Sequence, residues 1–161
     1  MSEAEKTYTL AEAHNEFAVK LNGRVWELLG EQDRTQLQND ELLYAAYGSC
    51  YHWLQIGTGV NQQRGEYLIA KAHLSLDNPA EALRHAERVL ELTEAHKEEL
   101  QDFDVGYAYE IMARALAMNG DKDQAGKYKQ LARQAGDEIA NAEDKKWFDA
   151  DFEGGEWFGL V

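Results

Sequence analysis

Two stretches of the chain carry the same order of residues at one fixed distance. AKAHLSLDNPAEALRHAERVL begins at Ala70 and ARALAMNGDKDQAGKYKQLAR begins at Ala113. In each, small and apolar residues lead into a short polar turn, and an amphipathic segment follows. Ala70 matches Ala113 and Ala82 matches Ala125, both 43 residues apart. An offset shared by both halves of each stretch predicts one helix pair made twice.

The rest of the chain reads as helix too. Thr9 and Glu12 form a capping box, which predicts a first helix from about Leu10 to Leu29. Ala13, Phe17, Leu21 and Leu28 give its apolar stripe. EQDRTQLQND reads as a polar loop, with Asn39 or Asp40 capping a second helix that runs to about Ile56. Gly57 to Gly59 ends it, and a third helix spans about Asn61 to Leu76. The only proline of the chain, Pro79, falls where a fourth helix begins. Proline suits a first helical turn, where its missing N–H costs nothing. A fifth helix over FDVGYAYEIMARALAMNG stops near Gly120, and DKDQAGKYKQLARQAGDEIANAE reads as a sixth, started by Asp121 or Asp123. The tail, DKKWFDADFEGGEWFGLV, reads as a short helix and an irregular end that folds back. Trp147, Phe148, Trp157 and Phe158 are too many aromatics to leave in water.

In these residues the chain resembles the tetratricopeptide repeat family. Ala70, Ala82, Ala113 and Ala125 stand at the family's small positions, where two antiparallel helices cross closely. DNPAEAL resembles its turn and second-helix start, and Ile69 and Met112 fill its apolar position. The family's usual repeat is about 34 residues, so EAHKEELQDFD acts here as an extended linker. Glu66 stands where the family has an aromatic, His73 where it has Tyr, while Tyr109 fits. The likeness covers residues 61 to 136; the first two helices match only as a hairpin.

Composition sets the outer limits. Hydrophobic residues make up 44% of 161, enough for a core. The net charge of −14 repels phosphate backbones and anionic lipid, so neither nucleic acid nor membrane is an expected partner. Apolar runs fall short of the roughly 20 residues a membrane span needs. MSEAEKTYTL lacks a basic flank before an apolar stretch, so no signal peptide is expected. Cys50 is the single cysteine, which rules out an internal disulfide. A cytoplasmic location is the expectation.

Few residues are spaced for chemistry. Five histidines invite a metal reading, with His14, His52 and His73 on different helices. The sequence contains no H-x-x-x-H, H-E-x-x-H or E-x-x-H. Glu81 and His85 are four apart, as many solvent pairs are. The expectation is therefore no metal and no cofactor, with His73 in the core and the others at the surface. Cys50 and His52 are two apart on one helix and point away from each other, so they do not form a nucleophile pair. GTG is too short for a phosphate loop and no lysine follows it. Tyr44, Tyr47 and Tyr51 share a stripe that serves either helix packing or an aromatic groove wall.

The resemblance implies that the first helix of each pair lines a concave groove. The matching positions are Arg64, Tyr67 and Lys71, then Tyr107, Glu110 and Arg114. Each trio at i, i+3 and i+7 shares one helical face. Three cations gathered on an acidic chain suit a peptide carboxylate; a solvated face with helix salt bridges is the plainer alternative. The expected architecture is all-α, a superhelix of the tetratricopeptide kind: three antiparallel pairs, about six main helices, over residues 10–56, 61–96 and 102–136. Residues 137–161 form an aromatic C-terminal cap on this single domain. The expected function is a noncatalytic scaffold that binds a protein or peptide, with a homodimer also plausible. The alternative is a small-molecule or metal-binding helical bundle, with an enzyme included in that reading.

Overall fold

Helix ends, more than helix interiors, show how this chain is divided. The computed structural model describes residues 4–161, so Met1, Ser2 and Glu3 of the MSEAEKTYTL stretch lie outside the described residues. Seven helices and no strand occur among them: α1 Leu10–Gly30, α2 Gln36–Ile56, α3 Gly59–Ser75, α4 Pro79–Ala95, α5 Asp102–Met118, α6 Lys122–Asp137 and α7 Ala142–Glu153. The all-α class holds. The count is seven, because the tail's short helix runs twelve residues, from Ala142 to Glu153.

Two boundaries differ from the sequence reading for a local reason. α2 starts at Gln36, ahead of Asn39, because Thr35 and Gln38 close a capping box within TQLQ. α6 ends at Asp137 and does not continue through NAE, since Asn141 accepts from the N–H groups of Glu143 and Asp144 and starts α7.

The 43-residue repeat is a repeat of backbone geometry. α3 and α5 start at Gly59 and Asp102 and end at Ser75 and Met118; α4 and α6 start at Pro79 and Lys122. Backbone bonds recur at matched places in the two turns. The Asn78 N–H donates to the His73 carbonyl and that of Asp121 to the Leu116 carbonyl, both at 3.0 Å. Asp77 (φ 58°) and Gly120 (φ 85°) hold the left-handed residue that such a helix stop requires. Glycine takes it without strain, and Asp is among the few other residues that tolerate it.

Consecutive helices pack as pairs, α1 on α2, α3 on α4 and α5 on α6, and further contacts run α1 to α3, α3 to α5 and α5 to α7. Ala70, Ala82, Ala113 and Ala125 are all fully buried. One core cluster joins Ala70, Leu74, Ala82, Ala86, Val89, Ile111, Leu116 and Ala125 across α3 to α6. A second joins Val25, Leu28, Leu42, Ala46, Cys50, Leu68 and Ile69 across α1 to α3. The α1 stripe is offset from the expected one. Ala18, Val25 and Leu28 are buried, whereas Phe17 is 53% exposed. Ala18 lets α2 come close, and the buried Ser49 hydroxyl donates to its carbonyl at 2.8 Å.

The tail closes the far end. Phe148 on α7 is fully buried, in space left by glycines on both helices beneath it. A Cβ at Gly106 would lie 2.9 Å from its ring, and one at Gly136 only 2.1 Å. Phe152 stacks on Phe148 at 5.8 Å, and Trp157 meets Phe152 edge-on at 5.2 Å. Trp147 is not part of this cluster; it is 64% exposed, on the face of α7 turned from the core.

Removing residues 147–161 should cause aggregation or a large fall in melting temperature, since each buried aromatic contributes about 1.5–3 kcal/mol. An unchanged thermal melt would show that the tail caps nothing. Two substitutions in α6 should move stability in opposite directions. Gly136→Ala displaces Phe148 and should cost about 1–3 kcal/mol. Gly126→Ala meets nothing within 4 Å and should gain about 0.5–1 kcal/mol. Urea titration of both variants measures the two signs.

Candidate functional site

The face shared by α1, α3, α5 and α7 carries two adjoining clefts that both reach Asp151. The first, about 330 Å³, is lined by Trp26, Arg64, Tyr67, Phe103, Asp104 and Tyr107 among others. The second, about 340 Å³, includes Lys71, Arg114, Asp151 and Glu156. Of the six residues singled out from sequence, Arg64, Tyr67 and Tyr107 meet in the first cleft and Lys71 and Arg114 in the second. Glu110 lines neither and is fully buried.

The three cations differ sharply in what they are free to do. Arg64 holds Asp104 through two bonds, Nε at 2.9 Å and Nη2 at 2.8 Å. Arg114 is buried and wholly engaged within the chain. Its Nε binds Glu110, and its Nη groups donate to the carbonyls of Glu156 at 2.7 Å, Asp151 at 2.9 Å and Gly154 at 3.0 Å. Its guanidinium also lies 3.9 Å from the Trp157 ring centroid. Arg114 therefore satisfies carbonyls that the end of α7 leaves unpaired, and a clamp of three free cations does not exist. Lys71 alone of the three has no carboxylate partner among the described residues. Its Nζ lies 5.8 Å from the Trp26 ring and 5.7 Å from that of Tyr67.

The cleft floor is tied together by hydroxyl bonds. Tyr67 Oη donates to Glu110 at 3.2 Å, and Tyr107 Oη donates to Asp151 at 2.6 Å. Burial first, then the Glu110 carboxylate, pushes the Tyr67 phenol well above its usual pKa. Burial and the bond to Asp151 do the same for Tyr107. Both phenols keep their protons and act as donors. Trp26, Phe103, Asp104 and Asp151 were not singled out from sequence. Their helices are apart along the chain, and no spacing pattern connects them.

A second constellation lies on the other side of α3. At about 100° per residue, Glu66 and His73 point roughly opposite to Arg64, Tyr67 and Lys71. His73 and His85 are both 95% buried, so His85 is not the surface residue expected. Their rings stack 5.6 Å apart. The Tyr47 hydroxyl is 2.9 Å from Nε2 of each. Glu66 takes His85 Nδ1 at 2.5 Å, Asn78 lies 3.2 Å from His73 Nδ1, and Glu81 Oε2 is 3.9 Å from His85 Nε2. Burial, then the neighbouring His85, lowers the His73 pKa, so its ring is neutral near pH 7. The tyrosine stripe of α2 thus serves neither of its two expected roles as a unit: Tyr47 joins the histidines and Tyr44 is 75% exposed. His14 and His52 form a separate pair, Nδ1 to Nδ1 at 2.8 Å, in which one nitrogen donates and the other accepts.

Cys50 is buried against Gly65, where a Cβ would come within 2.9 Å of its sulfur. Burial pushes its thiol up to about 11, which keeps it protonated and unreactive. Ellman's reagent should label native protein slowly and react with one equivalent of thiol in denaturant; fast labelling of the native form would refute this. Comparison with family models, curated proteins and solved structures found no match to this chain.

Proposed function

We propose that the chain is a noncatalytic helical scaffold of the tetratricopeptide kind, which binds an extended peptide by a carboxylate and a flat side chain. The observation that carries this reading is Lys71. It is a cation without a carboxylate partner among the described residues; its Nζ lies over the faces of Trp26 and Tyr67, and Lys71 itself lines the second cleft. On a chain of net charge −14, an uncompensated lysine over aromatic rings marks the local point where a negative group is favoured. The two clefts adjoin at Asp151, and the aromatic walls of the first favour a planar or apolar side chain.

The arrangement of helices supports the scaffold reading. Pairs repeat at 43 residues with matched turns, and the first helices α1, α3 and α5 pack on one another along one face. That is the stacking expected of helical repeats, each of which cannot bury its apolar face alone.

Peptides selected from a random library with free C-termini should bind the full chain and weaken at least about tenfold on amidation, the loss of one charge-assisted contact. Lys71→Glu should abolish the preference for the free carboxylate, while Arg88→Glu, on the outer face of α4, should not. Failure to select any peptide, or equal binding by Lys71→Glu, would overturn the reading.

A further inference from the structure

We infer that His73, His85 and Glu81 form a binding site for a divalent transition-metal ion of the zinc class, distinct from the peptide cleft. The three side chains each offer one ligand atom, and these atoms all lie within 4.8 Å of one another. Zinc holds nitrogen and carboxylate oxygen at about 2.0–2.2 Å. Ligand atoms in a tetrahedral set are then about 3.3 Å apart, a spacing these side chains reach by small rotations. The two Nε2 atoms already converge, since each is 2.9 Å from the same Tyr47 oxygen. That oxygen marks the fourth position of the set.

The surroundings supply the outer contacts that a metal site uses. A ligating histidine usually donates its other N–H to a fixed acceptor, which sets the tautomer and aims the ring. His85 has this arrangement in full. Glu66 holds its Nδ1–H at 2.5 Å, which leaves Nε2 unprotonated, its lone pair now taken by Arg84 at 3.1 Å and by the Tyr47 hydroxyl at 2.9 Å. For His73, turning the Asn78 amide by half a rotation places its oxygen on Nδ1–H and frees the Nε2 lone pair. The two amide orientations have nearly the same shape. Both rings are buried, which holds them in place as ligands.

Glu81 is the hinge of the site. Its carboxylate now binds Arg84, Nη2 at 2.8 Å and Nε at 3.1 Å. The side chains are 63% and 46% exposed, so this pair is a weak surface interaction. A divalent ion outcompetes it, and the guanidinium swings into water. A surface cleft of about 280 Å³, lined by Glu66, Arg84, His85 and Arg88 among others, opens the His85 side of the site to solvent. The arrangement also accounts for the two residues that depart from the repeat pattern: Glu66 and His73 both belong to it.

Equilibrium dialysis of metal-free full chain against Zn²⁺, with elemental analysis and competition by a chromogenic chelator, tests the site. One equivalent should bind. Glu81→Gln, on the exposed start of α4, should weaken it at least about tenfold without disturbing the fold, as the loss of one ligand requires. Glu66→Gln keeps every ligand but should weaken binding by about 10–100-fold, because His85 Nδ1–H loses its charged acceptor. His73→Gln with His85→Gln should remove it, with circular dichroism confirming the fold. His14→Gln with His52→Gln should bind as the parent does. No bound ion in the parent, equal affinity in the Glu81→Gln protein, or loss on changing His14 and His52 would each overturn the assignment; equal affinity across all variants would mean an adventitious ion only.

Discussion

The face shared by α1, α3, α5 and α7 depends on a buried ion pair. Glu110 and Arg114 stand one turn apart on α5, where their side chains are 0% and 6% exposed. Charges taken out of water cost several kcal/mol each unless protein groups replace the lost hydration. Here they are replaced from three directions. Tyr67 on α3 donates to Glu110, the end of α7 and the tail turn their carbonyls on Arg114, and Trp157 lays its ring face against the guanidinium. The tail folds back because Arg114 needs acceptors and because the end of α7 has unpaired carbonyls to give. Packing then follows, with Phe148 seated over Gly106 and Gly136.

This arrangement reassigns the charges of the cleft. A helical face with two arginines and a lysine looks cationic when only side-chain identity is counted. In the folded chain Arg114 supports the tail, Arg64 is neutralised by Asp104, and Lys71 alone of the three remains free to meet a ligand. Arg64 is only partly sheltered, with its side chain 46% exposed, while Asp104 is 4% exposed. The carboxylate is therefore the member that depends on the pair. Asp104 also accepts from the Gln101 N–H at the start of α5, so one side chain serves as helix cap and as cleft wall.

α3 is the element on which both candidate sites hang. One of its faces presents Arg64, Tyr67 and Lys71 to the clefts; the opposite face presents Glu66 and His73 to α2 and α4. Gly65 sits between them, and its missing side chain lets α2 approach through Cys50. A helix packed on both sides in this way needs a pattern that is neither purely apolar nor cleanly amphipathic. The sequence around it shows that pattern, and it explains why Gln63 is buried with its amide bonded to Thr93.

The sequence by itself determined the helices and their order. Caps, the single proline and the 43-residue offset are local or periodic signals, and they fixed the repeat so well that backbone hydrogen bonds recur at matched places in the turns. The small size of four alanines likewise carried through to full burial, because a methyl side chain at a crossing leaves no other choice. Other features were decided by partners far along the chain. Nothing near Arg114 shows that residues 151–156 will claim it, nothing near Trp147 shows that its face of α7 points outward, and nothing near His85 shows that Glu66 and Tyr47 will meet it in the interior. Histidines 73 and 85 share no ligand spacing, since they come from two helices joined by a turn. Their meeting is a consequence of how α2, α3 and α4 pack. A side chain's identity states which bonds it is able to make; which of them it makes depends on the groups that packing brings within about 3 Å.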